Sequence, residues 1–209
     1  LGGMVRVAIN GFGRIGRAFL RAASRDSTIE IVAINDLGEL ENLAYLLRYD
    51  SVYRAFPGDV SLDNGSLVVN GKRIAIVQEK DPTKLPWKAM RVDVVVESTG
   101  VFDSFEKASA HSSAGARKVV ISAPVKDSRQ NAATVLVGVN EEKLRTCTVT
   151  SNASCTTNSA SPLIAILDEA LGIERALLNT VHTYTASQSL VDAPVKGADK
   201  RRGRAAAQN

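Results

Sequence analysis

Two cysteines, Cys147 and Cys155, and two histidines, His111 and His182, are the only thiols and imidazoles in 209 residues. Cys155 lies in the octet Ser151-Asn152-Ala153-Ser154-Cys155-Thr156-Thr157-Asn158, polar and turn-forming in a way that a core cysteine does not need. A strand-like run, Thr148–Thr150, precedes the octet, and a helical run, Ser161–Leu171, follows it until Gly172 breaks it. At a helix N-terminus a thiolate is stabilised by the helix dipole and by nearby amide donors. Cys147 reads instead as a small buried hydrophobe. His182 closes Arg175–Val181, a run expected to form a strand, where an imidazole could meet the thiol and serve as general base. His111, on a helix expected over Ser104–Ser113, reads as a surface residue. Two cysteines are too few for a disulfide framework or a structural zinc site, and no metal site is expected.

A second constellation opens the chain. Asn10-Gly11-Phe12-Gly13-Arg14-Ile15-Gly16 carries G-x-G-x-x-G between the strand-like Val5–Ile9 and the helical Ile15–Ala23. Gly11 permits the tight turn, Gly13 lets the backbone approach a pyrophosphate, and Gly16 allows close helix–strand packing. The helix N-terminus then presents unpaired N–H groups to the phosphates. Asp36, at the end of a second strand over Ile29–Ile34, can accept hydrogen bonds from a ribose diol and would repel a 2′-phosphate, so NAD is expected over NADP.

These residues must be positioned by an α/β scaffold. The first strand, helix and second strand form a βαβ unit, followed by a helix over Leu40–Arg48. Asn64-Gly65 and Asn70-Gly71 flank Ser66–Val69 and predict an antiparallel excursion. Parallel-sheet logic returns with Val92–Val96, the Ser104–Ser113 helix, Lys118–Ile121 and a strand-like Thr134–Val137. Such alternation predicts a doubly wound, Rossmann-type parallel sheet.

Composition excludes several classes. Apolar residues make up 44%, which suits a globular core. The longest apolar runs are too short to span a bilayer, and no leader pattern precedes Val5, so a cytoplasmic protein with no membrane partner is expected. Met4 is read as the natural start. The formal charge is +4, and five basic residues crowd into 196–204. With no aromatic interleaved for base stacking, no nucleic-acid partner is expected, and a loop that meets phosphates or a neighbouring subunit fits better.

SNASCTTN, a histidine 27 positions after its cysteine in T-V-H-T-Y-T, and the NGFGRIGR opening together resemble the glyceraldehyde-3-phosphate dehydrogenase family. The resemblance runs the length of the chain, through S-T-G at Ser98–Gly100, I-S-A-P at Ile121–Pro124 and V-G-V-N at Val137–Asn140. It implies a cofactor domain over 1–154 and the beginning of a second, α+β catalytic domain over 155–209, with a nucleophile helix, a histidine strand and an S-shaped loop. It makes Cys155 the nucleophile and His182 the base of a phosphorylating aldehyde oxidation. Ser154, Cys155, Thr156, Thr185 and Arg201 are implied around the substrate phosphate and the inorganic phosphate. For NAD, the resemblance implies the backbone N–H groups of Arg14 and Ile15, the ribose contact of Asp36, and a groove with Lys80, Ser122, Phe12 and Ser98-Thr99-Gly100. Lys80 stands where many members carry arginine, and Ser159 where a cysteine is common. Lys200–Ala205 resembles the NADP-tolerant branch whereas Pro194 matches NAD-type members, which leaves use of NADP open. Erythrose-4-phosphate dehydrogenase and a non-catalytic NAD-binding module are the alternatives. Members of the family form homotetramers, and they continue beyond this length, so little turnover is expected of the 209 residues alone.

Overall fold

The structure, a computed structural model, describes residues 3–195 and 198–208. Leu1, Gly2, Lys196, Gly197 and Asn209 lie outside the described residues; they include part of the stretch before Met4 and one of the five basic residues of the loop. The chain falls into two compact units, Leu1–Ala170 and Leu171–Asn209.

The first unit is built on a nine-stranded sheet. In chain order its strands are β1 (Val5–Asn10), β2 (Ile29–Asn35), β3 (Val60–Asp63), β4 (Ser66–Val69), β5 (Lys72–Val77), β6 (Val94–Glu97), β7 (Lys118–Ile121), β8 (Ala132–Thr134) and β9 (Val149–Ser151). Across the sheet they run β8-β9-β7-β6-β1-β2-β5-β4-β3. Every pairing is parallel except β3–β4 and β4–β5. Those two are the expected excursion. Asn64 and Gly65, then Asn70 and Gly71, all take positive φ, as two-residue hairpin turns with the sheet's twist require.

Alternation along the central strands explains why both faces are covered. Ala8 and Ala33 point into one apolar cluster, with Val95, Val119, Trp87 and Phe105. Their neighbours Ile9 and Ile34 point into the other, with Phe12, Leu20, Leu43 and Leu47. Helices α1 (Arg14–Ala23) and α2 (Leu40–Arg48) supply the second cluster, and α3 (Phe105–Ala108) supplies part of the first. The strand order reverses at β1, between β2 and β6, and a ligand crevice forms outside the carboxyl ends of strands at such a switch point.

Four expectations are corrected here. The helix over 104–113 is two short pieces, α3 and α4 (Ala110–Ser113), separated by Ser109. The strand expected over 134–137 sits two residues earlier, as β8. No strand forms over Arg175–Val181: a strand needs a ladder partner, and no ladder includes these residues among those described. Leu177 and Val181 are almost fully exposed. The nucleophile helix, α5 (Cys155–Leu171), begins earlier than its apolar pattern suggests and ends at Gly172, whose positive φ stops it.

In the second unit, a 3₁₀ turn over Lys200–Gly203 is held by backbone bonds from Ser189 N–H to the Arg202 carbonyl and from Ala193 N–H to the Gly203 carbonyl. A Cβ at Gly203 would lie 2.3 Å from the Ala193 carbonyl oxygen, so this loop demands glycine there.

Candidate active site

The glycine turn leaves β1 at Asn10 and enters α1 at Arg14. Gly11 has φ +91°, and a Cβ there would lie 2.6 Å from the Thr99 amide nitrogen. A Cβ at Gly16 would lie 2.2 Å from the Gly11 carbonyl oxygen, which is the close helix packing expected of the third glycine. Gly13 differs: nothing approaches its virtual Cβ within 4 Å. As the N-cap of α1 it has no side chain to cap with, so the first-turn amides are left for another acceptor. The Arg14 guanidinium is taken up by Asp50 and by the Tyr53 ring, 5.3 Å from its centroid, so its contribution at the turn is the backbone amide.

At the switch point lies a cavity of about 420 Å³. Of the expected cofactor residues, Gly11, Gly13, Asp36, Lys80, Ser98 and Thr99 line it. The side chain of Phe12 is buried in the core, Gly16 packs under the turn, and Ser122 follows β7 with its amide bound to the Glu97 carbonyl. Phe12, Arg14, Ile15, Gly16, Gly100 and Ser122 are not among the lining residues. Asp36 turns one carboxylate oxygen to the Phe12 amide at 2.7 Å and the other to the Gly38 amide at 2.8 Å. A carboxylate has roughly four acceptor positions, so capacity remains for a diol. The uncapped helix end, the open face of Gly13 and the anchored carboxylate fit the phosphates and ribose of a dinucleotide.

Beneath the cavity is a polar network that sequence reasoning missed. Asn10, Asn35, Glu97 and His111 are buried, His111 completely, which corrects its surface placement. The His111 Nε2 lies 2.9 Å from Glu97 Oε2, and the Trp87 indole donates to His111 Nδ1 at 3.1 Å. One signal was in the sequence: three apolar strands each end in Asn or Glu, side chains rarely buried without partners.

The thiol is placed by the β9–α5 turn. Ser154 caps α5: its hydroxyl accepts from the Thr157 amide at 3.0 Å and lies 2.8 Å from the Thr157 hydroxyl. The Asn158 side chain donates to the carbonyls of Asn152 and Ser154. Ala153 takes φ +57° to make the turn. Cys155 is thereby the first residue of a 17-residue helix, and it is exposed, whereas Cys147 is buried. Thr156 is half-buried beside it.

In the second unit His182, Thr185 and Arg201 gather around an opening of about 720 Å³, together with Arg202 and Arg204. The His182 Nδ1 lies 2.5 Å from the Thr183 carbonyl, which can only accept, so Nδ1 carries a hydrogen. The Thr185 hydroxyl lies 2.9 Å from that of Ser187. Arg201 pairs with Asp199 at 2.8 Å; the pairing raises the Arg201 pKa and lowers that of Asp199. Asp199 lines the same opening and also faces Arg202, while Arg204 pairs with Asp192, so all three guanidiniums have carboxylate partners.

Comparison with known proteins gives the family that the chain resembles. Residues 5–105 match the glyceraldehyde 3-phosphate dehydrogenase NAD binding domain, and residues 154–209 match the C-terminal domain of the same family. The chain is 52% identical over 209 residues to glyceraldehyde-3-phosphate dehydrogenase of Thermotoga maritima, covering 99% of this chain and 61% of that protein. It is 50% identical over 206 residues to the cytosolic enzyme of Trypanosoma brucei brucei, again with 99% and 61% covered. It is 48% identical over 207 residues to glyceraldehyde-3-phosphate dehydrogenase 1 of Bacillus subtilis, with 98% and 60% covered. The chain thus spans about three fifths of the length of these relatives.

Proposed function

Because this chain belongs to the glyceraldehyde-3-phosphate dehydrogenase family, we propose that it carries the cofactor site and the nucleophile of an NAD-dependent oxidation of glyceraldehyde 3-phosphate to 1,3-bisphosphoglycerate. The observation that carries the reading is Cys155, exposed as the first residue of a capped helix whose dipole favours the thiolate. His182 takes the thiol proton at Nε2, and the thiolate attacks the aldehyde carbon to give a thiohemiacetal. The Cys155 amide and the imidazole stabilise the oxyanion. NAD, held by the first-turn amides of α1, by Asp36 and by the groove residues Lys80, Ser98 and Thr99, supplies the hydride acceptor when bound. Oxidation leaves a thioester on Cys155, which inorganic phosphate attacks to release the acyl phosphate. Ser154, Thr156, Thr185 and Arg201 hold the two phosphates, although the cap bond of Ser154 already takes one lone pair of its hydroxyl.

In this reading 1–154 form the cofactor domain and 155–209 the start of the catalytic domain, which the match over 154–209 supports. A cytoplasmic homotetramer is the expected assembly of the complete protein. Asp36 favours NAD over NADP, and erythrose 4-phosphate is the competing substrate. Alkylation with iodoacetamide near neutral pH, located by mass spectrometry, tests the nucleophile. Cys155 is expected to react much faster than Cys147 in the folded chain; equal reactivity overturns the assignment.

A further inference from the structure

We propose that His111 is a positioning residue for dinucleotide binding: through the buried Glu97 carboxylate it holds the ends of β1, β2 and β6 at the spacing the cofactor requires. This rests on reading the cavity at the switch point as the NAD site. His111 does not line that cavity and is completely buried, so any effect it has on a ligand must pass through its neighbours.

The directions of the amide, indole and imidazole hydrogen bonds follow from groups whose roles are fixed. The Glu79 amide can only donate, and it donates to Asn35 Oδ1 at 2.9 Å. The Glu79 carbonyl can only accept, and it takes a bond from Asn35 Nδ2, also at 2.9 Å. With Asn35 oriented, its Nδ2 donates to Asn10 Oδ1 at 2.7 Å, and Asn10 Nδ2 must donate to Glu97 Oε2, at 2.5 Å. From the opposite side, the Trp87 indole can only donate, so His111 Nδ1 accepts. The imidazole is then the neutral Nε2–H form, and it donates to Glu97 Oε2. On the other oxygen, Oε1, the Thr99 amide donates at 2.8 Å and the Thr99 hydroxyl at 2.5 Å. With the Thr99 hydroxyl donating, four donors meet the roughly four acceptor positions of an ionised Glu97 carboxylate.

A charge buried this deeply is tolerated only when its partners are complete. Two of its direct partners belong to strand ends that line the cavity, Asn10 from β1 and Thr99 beyond β6, and Asn10 is held in turn by Asn35 from β2, which is bound to Glu79 beyond β5. Thr99 passes the constraint on, its hydroxyl accepting from the Val101 amide at 3.0 Å. Phe102, another lining residue, meets the imidazole in a T-shaped contact, with centroids 6.0 Å apart. Removing the imidazole leaves the carboxylate short of one partner and the Trp87 indole without its acceptor. The cheapest repair draws Asn10 or Thr99 toward the charge, and both are cavity residues.

The test is calorimetric titration of the 209-residue chain and its variants with NAD, at a temperature where unfolding curves show each to be folded. His111→Leu and Glu97→Gln are each expected to weaken NAD binding by about tenfold, the worth of one charge-assisted hydrogen bond. His111→Gln is expected to restore affinity to near the wild-type value, because its amide can accept from Trp87 and donate to Glu97. A residue that only supported the fold would lower the unfolding temperature and leave the NAD affinity of the folded chain unchanged. If folded His111→Leu and Glu97→Gln bind NAD as the wild type does, the proposal is overturned while the NAD site stands. If His111→Gln is as weak as His111→Leu, the donor–acceptor role is overturned. Should His111→Leu not fold, weak binding by Glu97→Gln beside intact binding by His111→Gln supports the proposal, and equal binding by the two overturns it. If the wild-type chain itself shows no saturable NAD binding, the cofactor reading fails and the proposal with it.

Discussion

Gly11 and Gly13 look alike in the sequence, yet they answer to different constraints. A side chain at Gly11 meets the Thr99 backbone in a left-handed conformation, whereas one at Gly13 meets open space at an ordinary φ of −69°. Gly11→Ala is expected to cost about 2–4 kcal/mol of stability, a fall of several degrees in Tm. Gly13→Ala should melt near the wild-type temperature but bind NAD more weakly, since its methyl group occupies the face left open to a pyrophosphate. Thermal unfolding and NAD titration of the two variants separate the roles. Asp50 supplies a pH-dependent counterpart. Burial pushes its pKa up, but the amides of Tyr53 and Val52 and the Arg14 guanidinium outweigh burial and hold it below the usual carboxylate range. A depressed folded pKa contributes stability that is complete above the unfolded value and is lost as pH falls through the folded one. Asp50→Asn should therefore be less stable than the wild type near neutrality, with the gap closing below about pH 4, as unfolding curves across that range would record.

At the scale of elements, α5 depends on its cap more than most helices do. None of its side chains is buried, so packing supplies little, and Ser154 satisfies the Thr157 amide at its start. Ser154→Ala is expected to cost about 0.5–2 kcal/mol and to slow Cys155 alkylation by fraying the first turn; Ser154→Thr should largely preserve both. The same contrast between local and distant causes decided which elements could be read from the sequence. β1, α1 and β2 were legible because apolar spacing, glycine turn and strand alternation all lie within about thirty residues. The hairpins were legible from two Asn-Gly pairs. The strand expected over 175–181 was not realised, because an apolar run specifies only a propensity and a ladder partner must come from elsewhere. The helix over 104–113 was read as continuous because nothing in its spacing marks the break at Ser109. His111 was misplaced because its partners, Trp87 and Glu97, are 24 and 14 residues away and belong to other segments. The candidate site divided in the same way: Asp36 and the glycines announced themselves by motif, while the network beneath them exists only in three dimensions.

For the molecule as a whole, exposed apolar surface is the feature with most consequence. Leu163, Ile166 and Leu171 on α5 are more than half exposed, and so are Leu190 and Val191 in the second unit. Large apolar exposure of this kind promotes association. The purified chain should bind a hydrophobic dye and sediment as concentration-dependent oligomers, and Ile166→Glu should reduce both effects. No helix among the described residues is long and apolar enough to cross a membrane. The central claim joins the two constellations in one reaction, an oxidation of the substrate carbon bound to the Cys155 sulfur that depends on the dinucleotide cavity. Its most direct test is to incubate the chain with glyceraldehyde 3-phosphate, with and without NAD and in the absence of inorganic phosphate, and then to identify acylated residues by mass spectrometry after rapid acid quenching. The account predicts a phosphoglyceryl thioester on Cys155 that forms only with NAD and is absent from Cys155→Ser. No adduct, an adduct independent of NAD, or one on Cys147 instead would contradict it.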